Sequence, residues 1–306
     1  MLLGPQRLQP TLVQAVEAVG NEGPIATVTA GWEEREEETT ELRQHLGRRV
    51  LHLGIYARSE DVFRRDTELF RAWQERRARM RELQIAHRDR LDHLMLALRD
   101  LRKQEGRSDV LDPERQDALE DVRRIDAHHV GRILEIQHAF EDRWRPLERD
   151  AVAQHRREIS AIADQCGSLA IAGGNVAVLL NRMRLFGVVD LFAQHTIFAW
   201  SAGAMAMTER VVLFHDDPPW GRGNPIILAP GFGLCRGVVA LPHAHRRLRL
   251  DRPSRLKLWH ARFAPLHCLA FDDGAWLIFQ DGEPQVAAGG VHRFGHDGRL
   301  VEFVAA

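Results

Sequence analysis

The chain contains little cysteine: three residues in 306, Cys166, Cys235 and Cys268. Far apart and odd in number, they exclude a disulfide framework or a zinc ribbon and read as buried reduced thiols. No apolar run approaches the roughly 20 residues a bilayer-spanning helix needs. Met1 to Pro10 lacks the charged-then-apolar pattern of a secretion signal, so a soluble, cytoplasmic protein is expected. Charge of one sign is also missing, with a formal net charge of -1. No global field therefore drives the chain onto nucleic acid or an anionic membrane. Arg246, Arg247, Arg249, Arg252 and Arg255 form a local basic cluster, but nearby acids and the neutral balance argue against nucleic-acid binding. What is present, 44% hydrophobic and 28% charged residues, is ordinary for a globular protein with one large core or two modest ones.

The pattern changes near residues 59 and 166. Ile25 to Thr29 is a β-favouring run stopped by Gly31, an acidic helix-like stretch covers Glu33 to Leu46, and Arg49 to Ile55 is a second strand candidate. Between Ser59 and Gln165 glycine occurs only at 106 and 131 and proline only at 113 and 146. Ser59, followed by Glu60 and Asp61, reads as an N-cap. Apolar residues then recur by threes and fours: Phe63, Phe70, Trp73, Leu91, Leu94 and Leu98 on one seam, and Leu119, Val122, Ile133, Ile136 and Phe140 on another. Gly106 to Asp109 is the turn, Asp112-Pro113-Glu114 starts the second helix, and Pro146 interrupts it. The expectation is a coiled-coil-like antiparallel hairpin with arms about 60 Å long. An arm of that length is expected to project or to pair with a second copy, which makes it a candidate dimerisation or partner-docking element.

From Gly167 the α/β pattern returns. Ser168 to Ala172 is an apolar strand, Gly173-Gly174-Asn175 a turn, and Val176 to Phe186 a helix. Thr196 to Trp200 is a further strand that runs directly into Ser201-Ala202-Gly203-Ala204. The predicted fold is a three-layer α/β sandwich with a mostly parallel sheet, built from residues 1–58 and 166–306 and interrupted by the hairpin over 59–165.

An apolar strand leading straight into Ser, with small residues behind it and a helix beyond, is what a nucleophile elbow requires. An ordinary N-cap Ser has the same local signature. The Gly173-Gly174 turn favours the first reading, because it also follows a strand, opens a helix and should share Ser201's sheet edge. There its backbone N–H groups can approach a bound carbonyl. A general base must reach the hydroxyl. The apolar run Gly237 to Leu241 ends at Pro242-His243, which puts His243 at the carboxyl edge of the sheet where ligands bind.

Together Gly173-Gly174-Asn175, Trp200-Ser201-Ala202-Gly203-Ala204, His243 with Arg247 and Arg249, and Phe271-Asp272-Asp273-Gly274-Ala275 resemble the serine peptidases comprising aspartyl dipeptidase (peptidase E) and cyanophycinase. Their fold is similar to that of class I glutamine amidotransferases. The resemblance covers about Gly167 to Gln280, plus the strand near Ile25 to Gly31. It implies Ser201 as nucleophile, His243 as base, and the Gly174 and Ala202 N–H groups as oxyanion hole. Asn175, Arg247 and Arg249 become substrate-binding candidates. For the third catalytic residue it offers two alternatives, Asp273 by the cyanophycinase pattern and Asp216 by the peptidase E pattern. Ala199 and Ala244 depart from that pattern, where Gly and an aromatic are usual, and Asp273 is shorter than the cyanophycinase Glu.

The family acts on peptides with an acidic residue at the cleaved bond, and Arg182, Arg184, Arg222, Arg247 and Arg249 are candidates for a carboxylate clamp. The acyl-enzyme chemistry needs no cofactor. His215-Asp216-Asp217 and His243-Ala244-His245 lack a metal-site spacing such as H-E-x-x-H, so no metal is expected. The rival reading is an inactive relative that binds a partner through its hairpin.

Overall fold

Alternation along short strands sorts the core into two faces. In the computed structural model, which describes residues 1–20, 22–216 and 223–304, the central strands are β1 (Leu2–Leu3), β2 (Ile25–Val28), β3 (Val50–His52), β4 (Ser168–Ile171) and β5 (Thr196–Trp200). Leu2, Ala26, Val28, Leu169, Ile171 and Ala199 enter one apolar cluster. Their alternates Leu3, Ile25, Ala170, Phe198 and Trp200 enter another, with Leu12, Ala15 and Val16 of helix Leu12–Ala18. A sheet buried on both faces by helices is the middle layer of three.

The remaining strands are β6 (Arg210–Leu213), β7 (Ile226–Pro230), β8 (Val238–Pro242), β9 (His267–Phe271), β10 (Trp276–Gln280), β11 (Glu283–Ala288), β12 (His292–Phe294) and β13 (Leu300–Glu302). The large sheet has seven strands in the order β11-β10-β1-β5-β4-β2-β3. It is parallel from β1 to β3, and antiparallel where β10 joins β1 and β11 joins β10. A second sheet, β13-β12-β9-β8, carries the parallel pair β8 and β9; β6 and β7 form a ribbon.

The helical segment differs from its expected outline at both ends. The first helix spans Ile55–Arg65, so Ser59 is internal and buried, its hydroxyl donating to the Tyr56 carbonyl at 2.6 Å. Glu36 accepts the Tyr56 and Ala57 N–H groups at the start of this helix instead. The long arms are Thr67–Lys103, capped by Asp66, and Ser108–Trp144, each of 37 residues. Pro113 lies inside the second arm rather than at its start, and Pro146 follows its end in a short 3-10 turn. The acidic stretch after β2 is likewise split, into a 3-10 turn at Ala30–Arg35 and a helix at Thr40–Leu46.

The projecting arm expected from the sequence is corrected: the hairpin folds back along the α/β body. Leu91, Met95, Leu98, Leu119, Val122 and Ile125 form a cluster that takes in Ile226, Leu258 and Ala261 of the body. Arg262 makes a buried two-point ion pair with Asp126, at 2.7 and 2.8 Å, and donates to the Pro225 carbonyl. Among the described residues no helix is long and apolar enough to cross a membrane.

Candidate active site

Strand β5 ends at Trp200, and the chain turns at once into helix Ala202–Met207. Ser201, at that turn, has φ 52° and ψ -121°, outside the regions ordinary L-residues occupy. Such a backbone costs on the order of 1–3 kcal/mol and persists only when its surroundings enforce it. The enforcement is visible. Gly173, following β4, lies so close that a Cβ there would stand 2.7 Å from the Ser201 Cβ, and any larger residue would displace the serine. Gly174 has φ 107°, and a Cβ on it would overlap the Gly31 carbonyl that receives the Asn175 N–H at 2.7 Å. The turns after β2, β4 and β5 are thereby packed edge to edge.

Ser201 and His243 line one open cleft of about 1370 Å³, together with Gly173, Gly174, Asn175 and Ala202. His243 follows β8 with φ 58°, and its N–H donates to the Phe271 carbonyl at 2.9 Å. That bond ties the histidine to the end of β9, two residues before Asp273, which also lines the cleft. Burial, and then the charge of Arg247, push the imidazole below its usual pKa, while Asp273 and Asp272 act the other way. No hydrogen bond links Ser201, His243 and Asp273 among the described residues. The three side chains share a cleft without an assembled relay.

The other carboxylates are engaged elsewhere. Asp272 pairs with His245 Nδ1 and accepts its N–H at 3.1 Å. Asp216 is 3% exposed and binds Arg255 and the Arg249 N–H, while its own N–H donates to the Arg247 carbonyl at 2.7 Å. It braces the segment after His243 and is absent from the cleft lining. Asp217 and Arg222 lie outside the described residues.

Of the arginines considered for a carboxylate clamp, Arg247 alone is placed on the cleft among the described residues. Arg182 pairs with Glu60 at 2.5 Å, Arg184 donates to the Pro230 and Gly231 carbonyls, and Arg249 lies beside Asp251. Asn175 caps helix Val176–Leu185 through Oδ1 and donates to Glu33 at 3.0 Å, so both ends of its amide are in use. Sequence reasoning missed Trp32 and Arg246 on the cleft wall, and also Arg88, which reaches the cleft from the hairpin arm Thr67–Lys103. No local signal marks Arg88, because its place depends on the arm folding back. Among the described residues no group of three or more His, Cys, Asp or Glu is arranged to hold a metal ion.

Comparison with known proteins bears on this geometry. The chain matches no curated protein. A solved structure of a peptidase from an acI-B1 Actinobacterium is similar over 99% of this chain and 95% of its own, at 14% identity and a TM-score of 0.47. The model of peptidase family S51 matches residues 129–287, which begin inside the hairpin's second arm and include Ser201, His243 and Asp273. With more than half of its length matched, the chain belongs to peptidase family S51, a family of serine-type peptidases.

Proposed function

We propose that Ser201 is the nucleophile of a peptidase that cleaves next to an acidic residue, with His243 as its general base. The observation that carries this reading is the constrained backbone of Ser201, held at φ 52° against Gly173 in the cleft that also contains His243. Ser201 Oγ attacks the peptide carbonyl while His243 takes its proton. The tetrahedral oxyanion is met by the Gly174 and Ala202 N–H groups. His243 then gives the proton to the leaving amine, the C–N bond breaks, and an acyl-serine remains. Water, deprotonated by His243, attacks the ester and releases the acid and the serine. Asp273 is our choice for the carboxylate that steadies the charged imidazole, since Asp216 is held by Arg255 and the Arg249 N–H. Hydrogen bonds among catalytic groups commonly tighten only with substrate in place. We also retain residues 59–165 as a helical insertion into a body formed by 1–58 and 166–306.

Arg247 is the proposed partner of the substrate carboxylate. It is half-buried and lies with its guanidinium 5.9 Å from the Phe214 ring centre. A partly desolvated guanidinium favours a planar, two-point contact with carboxylate. Hydrolysis of Asp-Leu, Asn-Leu and Ala-Leu tests this. The expected kcat/KM for Asp-Leu exceeds the others at least tenfold, and Arg247→Gln removes most of that preference. Equal rates for the three dipeptides would sink the acidic preference while leaving the serine chemistry standing.

The pH profile follows from the lowered His243 pKa. A base must be neutral to accept a proton, and a depressed pKa keeps imidazole neutral to lower pH. The acidic limb of kcat/KM is therefore expected below the ordinary histidine value of about 6.5. Arg247→Gln removes a neighbouring cation, so the limb should move toward higher pH. A wild-type limb above that value would contradict the assignment of His243 as the titrating base.

A further inference from the structure

A second cavity, of about 480 Å³, lies where the hairpin meets the body and shares no lining residue with the cleft of Ser201. Its volume is in the range of small-molecule sites. Arg76, from the first hairpin arm, is 3% exposed and lines it. The guanidinium carbon stands 4.0 Å from the Trp73 ring centre and 4.7 Å from that of Phe140. Its terminal nitrogens donate to Gln137 Oε1 and Asn181 Oδ1, both at 2.7 Å, and its Nε has no partner. Arg184 lines the same cavity, donating to the Pro230 carbonyl at 2.7 Å and lying 5.5 Å from the Phe232 ring centre.

Both guanidinium groups thus spend their hydrogen bonds on neutral acceptors. Burying a cation without a paired anion costs several kcal/mol. Burial, followed by the charge of Arg184, lowers the Arg76 pKa to about 9, although Glu141 acts the other way on both arginines. Three carboxylates, Glu141, Glu148 and Asp190, also border the cavity, but all are exposed. Glu141 accepts from Gln137, and Glu148 pairs with Arg145 at 3.4 Å. Water and salt screen charges at such positions, so they neutralise the buried Arg76 and the half-buried Arg184 poorly. The inner wall is therefore cationic and aromatic, a combination suited to a carboxylate on a flat or branched apolar body.

We propose that this cavity binds a small organic carboxylate with an aromatic or branched apolar body, its carboxylate taken by Arg76 and Arg184 and its body by Trp73, Phe140 and Phe232. The proposal is independent of the chemistry at Ser201. Isothermal titration of the full chain with 3-phenylpropionate and with its neutral amide, 3-phenylpropanamide, tests it. Saturable binding of the carboxylate is expected, at least about tenfold tighter than the amide. Arg184→Gln should weaken carboxylate binding by a similar factor, whereas Arg247→Gln, in the other cleft, should leave it unchanged. Arg76→Gln should act like Arg184→Gln; because Arg76 also ties the hairpin to Asn181, the Arg184 variant decides the matter if that protein fails to fold. No saturable heat at millimolar carboxylate, equal binding of the amide, unchanged affinity in Arg184→Gln, or loss of binding in Arg247→Gln would each overturn the proposal.

Discussion

Ser201→Ala is expected to lower kcat by about 10⁴-fold or more on any peptide the wild type cleaves, with unfolding temperature retained. Removing one hydroxyl leaves the acyl-enzyme route without its nucleophile, while the cleft and its backbone N–H groups stay in place. Ala at that position also relieves little of the strain, because the positive φ is imposed by Gly173 and by the turn between β5 and helix Ala202–Met207. His243→Ala should cost nearly as much, since an uncharged serine hydroxyl is a weak nucleophile without a base. The effects of the two substitutions should not add, because both remove the same step. Steady-state kinetics on the single and double variants, with thermal melts to confirm folding, checks this. A double variant slower by the product of the single effects would mean the two residues act in separate steps.

Asp126→Ala is expected to destabilise the protein by about 3–5 kcal/mol, the usual consequence of stranding one member of a buried ion pair. Arg262 is 2% exposed, and Asp126 holds it by two hydrogen bonds, so its loss leaves a cation with only the Pro225 carbonyl. The pair joins the second hairpin arm to helix Pro253–Phe263, which makes it a buried clasp between hairpin and body. Burial alone would raise the Asp126 pKa, but His87 and Arg262 outweigh it and hold the carboxyl below its ordinary value. A folded pKa below the unfolded one contributes stability at pH above about 4 that is lost as pH falls through the folded value. Urea melts of Asp126→Ala and of the apolar pair Asp126→Leu with Arg262→Met separate the alternatives. The single variant should lose most of the stability named, and the double variant should recover much of it. A single variant within 1 kcal/mol of wild type, roughly the worth of a surface pair, would show that the clasp carries no weight.

How far the sequence revealed this molecule depended on how local each signal was. β5 and its exit into Ser201 were legible because strand, turn and helix follow one another within a dozen residues. The seams of the two long arms were legible for the same reason. Two-residue β1 was not: it shows no alternation, and its neighbours β5 and β10 come from nearly 200 and more than 270 positions away. The hairpin's return onto the body was hidden as well, because the residues that recognise it, such as Ile226 and Arg262, lie far along the chain. That same fold-back carries Arg88 to the cleft, so part of the cleft wall could not be read from any motif. Charge was legible only as composition. Arg182, Arg184, Arg247 and Arg249 look alike in sequence, and tertiary placement alone separates Arg247 on the cleft from the three engaged elsewhere.

The account turns on whether the hydroxyl of Ser201 is chemically activated. Reaction of the whole protein with a fluorophosphonate, followed by peptide mapping of the adduct, measures this directly. A single phosphonyl group on Ser201, absent from Ser201→Ala and formed far more slowly in His243→Ala, is the predicted result. An adduct on another residue, or labelling that persists at full rate in Ser201→Ala, would contradict it.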